Sequence, residues 1–180
     1  MSTEAVARRY ATAVFELARE SEELEAVASE LGEFARIYAE NDDFRLAVSS
    51  PRLAEADRTM IVSEIAKRLK ATSITTRTVS LLTTRQRLAI LPDLVRVLNE
   101  QTDEHLGIVR AHVRGATRLS RRYLDRLQKR IEKATGKKAV LTFEEDPSLI
   151  AGVVTQIGDR VVDGSIRGKL DQLAESLRQT

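Results

Sequence analysis

Apolar residues recur every three or four positions as far as Gly107, and beyond it runs that alternate at every second position appear between helical stretches. That change of period constrains the fold more than any single motif. A repeat near 3.6 lays a stripe along a helix, whereas strict alternation puts one face on a strand. The chain therefore reads as α+β overall: an N-terminal six-helix bundle over residues 1–105, followed by a small α+β C-terminal domain over residues 106–180.

The first helix, 4–19, carries two adjacent stripes: Val6, Tyr10, Ala13 and Leu17, and one position later Ala7, Ala11, Val14 and Ala18. Its apolar arc is wider than a surface helix needs. A second helix, 22–39, shows Leu24, Val27, Leu31, Phe34 and Tyr38, and a short third is capped by Asn41 or Asp42 and ended by Ser50-Pro51. Met60, Ile61, Ile65 and Leu69 mark a fourth. The fifth runs from Ser73, as N-cap, to Thr84, with Ile74, Thr78 and Leu81 on one stripe and Val79 and Leu82 beside it. Pro92 fits the first turn of a sixth, which ends before Gly107.

Beyond Gly107, "IVRAHVR" sets Val109, Ala111 and Val113 against Arg110, His112 and Arg114, as on a half-buried strand. Ser120 caps a helix with Leu124, Leu127, Ile131 and Ala134 inward, and Gly136 stops it. "KAVLTFEED" alternates again. "GVVTQI" and "RVVD" then form a hairpin across Gly158-Asp159, in preference to one across Asp163-Gly164, because Ile166 is in helical phase with Leu170, Leu173 and Leu177.

The charge is unevenly distributed. Residues 1–105 carry 14 Lys and Arg against 18 Asp and Glu, and residues 106–180 carry 15 against 9. The excess gathers around the helix after Ser120, where Arg121, Arg122 and Arg126 are candidates for meeting an acidic partner. Phosphate is the alternative counterion, which would make residues 120–135 a nucleic-acid-binding module, but Tyr123 is the one aromatic interleaved there for stacking.

Enzymatic chemistry has little to stand on. With no cysteine, thiol catalysis, disulfides and zinc-thiolate sites are excluded. "GSIRGKL" puts three residues between Gly164 and Gly168 and a leucine after Lys169, which fails the phosphate-loop spacing. His105 and His112 lack ligand companions, and the pairs Glu22-Glu23 and Asp42-Asp43 suit helix N-termini. No cofactor is expected, and no apolar run approaches the roughly 18–20 residues that span a bilayer.

Three segments resemble the delta subunit of the F-type ATP synthase, the family of the mitochondrial oligomycin-sensitivity-conferring protein. They are "ARRYATAVFELA", "LLTTRQRLAILPDLVRVLNE", and "DPSLIAGVV" followed by "IGDRVVDGSIRGKLDQL". The likeness spans the chain, although "LSRRY" puts arginines where the family often has acids, and "TTRQRL" replaces a turn that more usually contains glycine or asparagine. The resemblance implies a non-catalytic stator subunit that links the catalytic head to the peripheral stalk, so that proton-driven rotation is coupled to ATP synthesis. It implies no direct insertion into the membrane and no nucleic acid. It also implies that an N-terminal helix of an alpha subunit lies between the first and fifth helices. Ala7, Tyr10, Ala11, Val14, Val79 and Leu82 are the candidate groove residues, each of which fills the bundle core in the competing reading. The C-terminal domain is expected to bind the b subunits, with Ile166, Leu170, Leu173 and Leu177 either packed inward or receiving the stalk. An N-terminus unlike a signal or transit peptide gives the cytoplasmic face of a bacterial plasma membrane as the expected location.

Overall fold

A computed structural model describes residues 3–50, 52–149, 151–158 and 160–164. The chain divides into two compact units, Met1–Thr102 and Asp103–Thr180. The first unit holds α1 (Thr3–Glu20), α2 (Leu24–Glu40), α3 (Asp42–Ser49), α4 (Glu55–Arg68), α5 (Ser73–Thr84), a 3-10 turn (Leu88–Ile90) and the start of α6 (Leu91–His105). The division thus falls inside α6. The last turn of that helix goes with the second unit, where Asp103 accepts hydrogen bonds from Arg110 Nε at 2.6 Å and Nη2 at 2.9 Å.

One continuous core fills the helical unit. Leu31, Phe34, Leu82, Leu91, Leu94 and Leu98 are wholly buried in it, with Val27, Val62, Val79 and Val97 around them. Thr75, Thr78 and Thr83 are buried too. Thr78 and Thr83 donate their hydroxyls to the carbonyls of Ile74 and Val79, both at 2.8 Å, which removes the cost of a dry, unpaired O–H. The cap of α3 is Asn41, whose Oδ1 accepts from Phe44 N at 2.9 Å. The cap of α5 is Thr72, not Ser73, because its Oγ1 accepts from Thr75 N. On α4 the buried residues are Arg58, Val62 and Ala66, while Met60 is 65% exposed.

Seven α-helices are present among the described residues, and α7 lies in the second unit. With its 3-10 turn and a sixth helix shared across the division, the first unit is a helical domain and not a clear six-helix bundle.

The second unit runs β1 (Ile108–Gly115), α7 (Arg121–Thr135), β2 (Lys138–Glu145), β3 (Val153–Ile157) and β4 (Arg160–Asp163). The sheet order is β2-β1-β3-β4, with β1 and β2 parallel and the other pairs antiparallel. The parallel pair needs a crossover, and α7 supplies it. Ala111, Ile131 and Ala139 form its small core with Val109, Leu127, Leu141 and Ile157 packed on them. Ala134, expected inward, is exposed in the last turn of α7. Gly136 ends α7 at φ +69°, a left-handed conformation that costs a glycine least. Gln128 Nε2 donates to Ala139 O at 2.8 Å and Glu132 Oε1 accepts from Ala139 N at 3.2 Å, so side chains of α7 satisfy backbone groups of edge strand β2.

Pairing of Ile157 with Arg160 fixes a two-residue hairpin connection, and Gly158 in it has φ +55°. Past β2, Asp146 accepts from the Ser148 hydroxyl and backbone N–H and faces Arg114, which together hold its carboxyl below the usual range. The helix expected from Ser165, with Ile166, Leu170, Leu173 and Leu177, lies outside the described residues.

Candidate functional site: a groove between α1 and α5

Two helices of the first unit leave an open groove of about 320 Å³ between them. Tyr10, Ala13, Val14 and Leu17 line it from α1, and Ile74, Arg77, Thr78 and Leu81 from α5, with Ser21 and Ser73 also in its wall. Leu17 is 54% exposed and Leu81 45%. Large apolar side chains left this open on both helices are what a docking surface needs, because each has burial energy to contribute once covered. Thr78 adds little polarity, since its hydroxyl is already spent on Ile74 O.

Neighbouring elements fix both walls. Glu30 on α2 accepts from Thr72 N at 2.9 Å and Thr72 Oγ1 at 2.8 Å, which pins the start of α5. Gln101 Nε2 on α6 donates to Thr12 Oγ1 at 3.0 Å, which steadies α1. Walls held in this way need little reordering on binding, so less of the interaction energy is lost to it. A second hollow of about 240 Å³ shares Tyr10 and Ala13 with the groove and adds Val6, Arg9 and Arg87. Arg87 Nη1 donates to the Tyr10 hydroxyl at 3.4 Å.

Of the six residues assigned to the groove from sequence, Tyr10 and Val14 line it. Ala7, Ala11, Val79 and Leu82 do not; each is wholly buried in the core. The two stripes on each helix are interchanged relative to that assignment. Alanines at the inner stripe of α1 let the helices approach closely, which leaves Leu17 exposed and the bulkier Val6 and Tyr10 half-buried at the edge of the core. Likewise Val79 and Leu82 of α5 turn inward, and Ile74 and Leu81 face the groove. Ala13 and Leu17 on α1, and Ile74 and Leu81 on α5, are legible in the sequence as stripes of helical spacing, but spacing alone does not mark which stripe of each helix faces outward.

In the second unit, Arg121, Arg122 and Arg126 are exposed on α7, and none of the three makes an ion pair within the described residues. Tyr123, Arg126, Leu127 and Arg130 line a hollow of about 260 Å³ on the same helix. On the sheet, His112 Nε2 lies 2.9 Å from Glu144 Oε2, with both side chains substantially exposed. No cluster of three or more His, Asp or Glu able to hold a metal ion occurs among the described residues, and no described helix is long and apolar enough to cross a membrane.

The comparisons with known proteins agree with one another. Residues 6–177 match the family model described as ATP synthase delta (OSCP) subunit. The chain is 35% identical over 174 residues to the ATP synthase subunit delta of Syntrophobacter fumaroxidans, covering 97% of this chain and 95% of that protein. It is 34% identical to the subunit of the same name from Geotalea uraniireducens, covering 99% of each. A chain in the Toxoplasma gondii mitochondrial ATP synthase hexamer has the same fold, with a TM-score of 0.71, 21% identity, and coverage of 95% of this chain and 96% of that one.

Proposed function

Because the chain belongs to the ATP synthase delta (OSCP) subunit family, we propose that its α1/α5 groove receives the N-terminal helix of an alpha subunit and its second unit the b subunits of the peripheral stalk. The protein is a non-catalytic stator subunit of the F-type ATP synthase. It acts by holding: torque on the catalytic head is resisted by attachments at two places, so proton-driven rotation does work on the head instead of turning it.

The observation that carries the groove assignment is the pair Leu17 and Leu81, exposed on facing helices over a floor that includes Val14 and Ile74. An amphipathic helix laid there covers its own apolar stripe and theirs, at roughly 25 cal/mol per Å² of apolar surface removed from water. Small residues in the wall, Ala13 and Ser21, leave room for its backbone.

For the stalk, α7 offers an exposed cationic face to an acidic segment, with Arg121, Arg122 and Arg126 at its N-terminal half. Ile166, Leu170, Leu173 and Leu177 are the proposed apolar contribution to the same attachment. Phosphate remains the alternative partner of α7, and nothing among the relatives favours it. The proposed location is the cytoplasmic face of a bacterial plasma membrane, where the protein is held peripherally through the complex.

The experiment is a calorimetric titration of the whole protein with a synthetic peptide of the alpha-subunit N-terminus from the same organism. One-to-one binding with a negative heat-capacity change is expected, and Ala13→Trp, which fills the groove from an exposed position, should abolish it. Unaltered binding by that variant places the alpha helix elsewhere.

A further inference from the structure

The residues that line the groove and the adjoining hollow include three charged side chains, Arg9, Arg77 and Arg87, and all three are cationic. This is unexpected on composition, since residues 1–105 carry more acid than base. Two of the three acids of α1 are engaged elsewhere, Glu16 with Arg19 and Glu4 at 3.7 Å from Arg96 of α6, and the third, Glu20, is exposed in the last turn of the helix and is not among the lining residues. Helix α5, from Ser73 to Thr84, contains no acid at all. The guanidiniums of Arg9 and Arg77 form no ion pair within the described residues, and Arg87 makes one long hydrogen bond to Tyr10. An arginine has five N–H donors, so even Arg87 keeps most of its capacity unused.

Their placement is asymmetric. Arg9 and Arg87 stand together at the Tyr10 end, where the groove runs into the second hollow, and Arg77 stands in the wall formed by α5. Between them the floor is apolar. A helix seated there meets Val14, Leu17, Ile74 and Leu81 with its stripe and positive charge with its flanks.

Resting on the groove reading above, we propose that the groove selects for charge: its occupant is an amphipathic helix whose apolar stripe is flanked by carboxylates that meet Arg9 and Arg87 at one end and Arg77 along one side. A basic or neutral-flanked helix with the same stripe is discriminated against. Arginine suits this role because its planar fork takes a carboxylate with two hydrogen bonds. Rim charges of this kind act chiefly on the rate of association and on partner choice, while the apolar floor sets how long the complex lasts.

The test uses the whole protein and two synthetic amphipathic peptides with one apolar stripe, flanked by Glu in one and by Gln in the other. The wild type is expected to bind the Glu peptide about tenfold more tightly, mostly through faster association, with the difference largely gone at about 1 M salt. In Arg9→Gln/Arg87→Gln the preference should fall to about twofold or less, with the melting temperature unchanged because both positions are exposed. Ala13→Trp should lose both peptides. Equal affinity of the wild type for the two peptides, or a preference that survives the double substitution, overturns charge selection and leaves the groove standing. Failure of the wild type to bind either peptide, or full binding by Ala13→Trp, overturns the groove itself and the selection with it.

Discussion

Ala11 and Ala13 are two positions apart on α1 and chemically identical, yet one is wholly buried and the other exposed at the groove. Enlarging them separates core from site. Ala11→Leu forces extra volume between helices in contact and should destabilise the protein by about 1–3 kcal/mol, whereas Ala13→Leu should change stability by less than about 0.5 kcal/mol. Paired thermal melts measure both. The sequence displays both stripes of this helix, but it does not say which one is inward. Size misleads here, because the usual expectation that large apolar residues fill the core fails where small ones permit closer helix packing. Val14 and Tyr10, near the boundary between the stripes, remain at the groove under either phase.

Among the elements, α7 has local electrostatics that work against it at its N-terminus. Its first turn carries Arg121 and Arg122 and no acid, so positive charge sits at the positive end of the helix dipole. The Ser120 cap, with Oγ accepting from Tyr123 N at 3.3 Å, and the stop at Gly136 offset part of that cost. Arg121→Glu should therefore stabilise the protein by about 0.3–1 kcal/mol in urea denaturation. The same substitution should weaken its attachment to an acidic stalk segment, read by pull-down with the b subunits, and a variant that gains stability without losing attachment would show that this arginine has no part in it. The cap and stop of α7 were readable in the sequence, and so was its inward face as far as Leu124, Leu127 and Ile131, although not at Ala134, since each depends on residues within a turn of one another. The cap of α5 was not, because Thr72 is held there by Glu30 from another helix.

For the molecule as a whole, the sequence changes period at Gly107 but the chain divides after Thr102. The difference is a tertiary effect, the Arg110–Asp103 pair, which no local pattern encodes. A fragment ending at Gly107 keeps every core residue of the first unit and is expected to melt cooperatively by itself, as differential scanning calorimetry would show; a broad, non-cooperative transition would tie its stability to the second unit. The two units also differ in how their contacts are distributed along the chain. Strand β1 is made first and sits in the middle of the sheet, yet both strands that complete it, β2 and β3, follow the whole of α7. During synthesis the helical unit can close on neighbours already present, while β1 emerges with both backbone edges unpaired and Val109, Ala111 and Val113 uncovered. Long-range strand pairing is slow to form. The rate-limiting step in maturation is accordingly expected in the second unit, with the interval between the appearance of β1 and that of β3 the one in which a nascent chain exposes most unpaired strand.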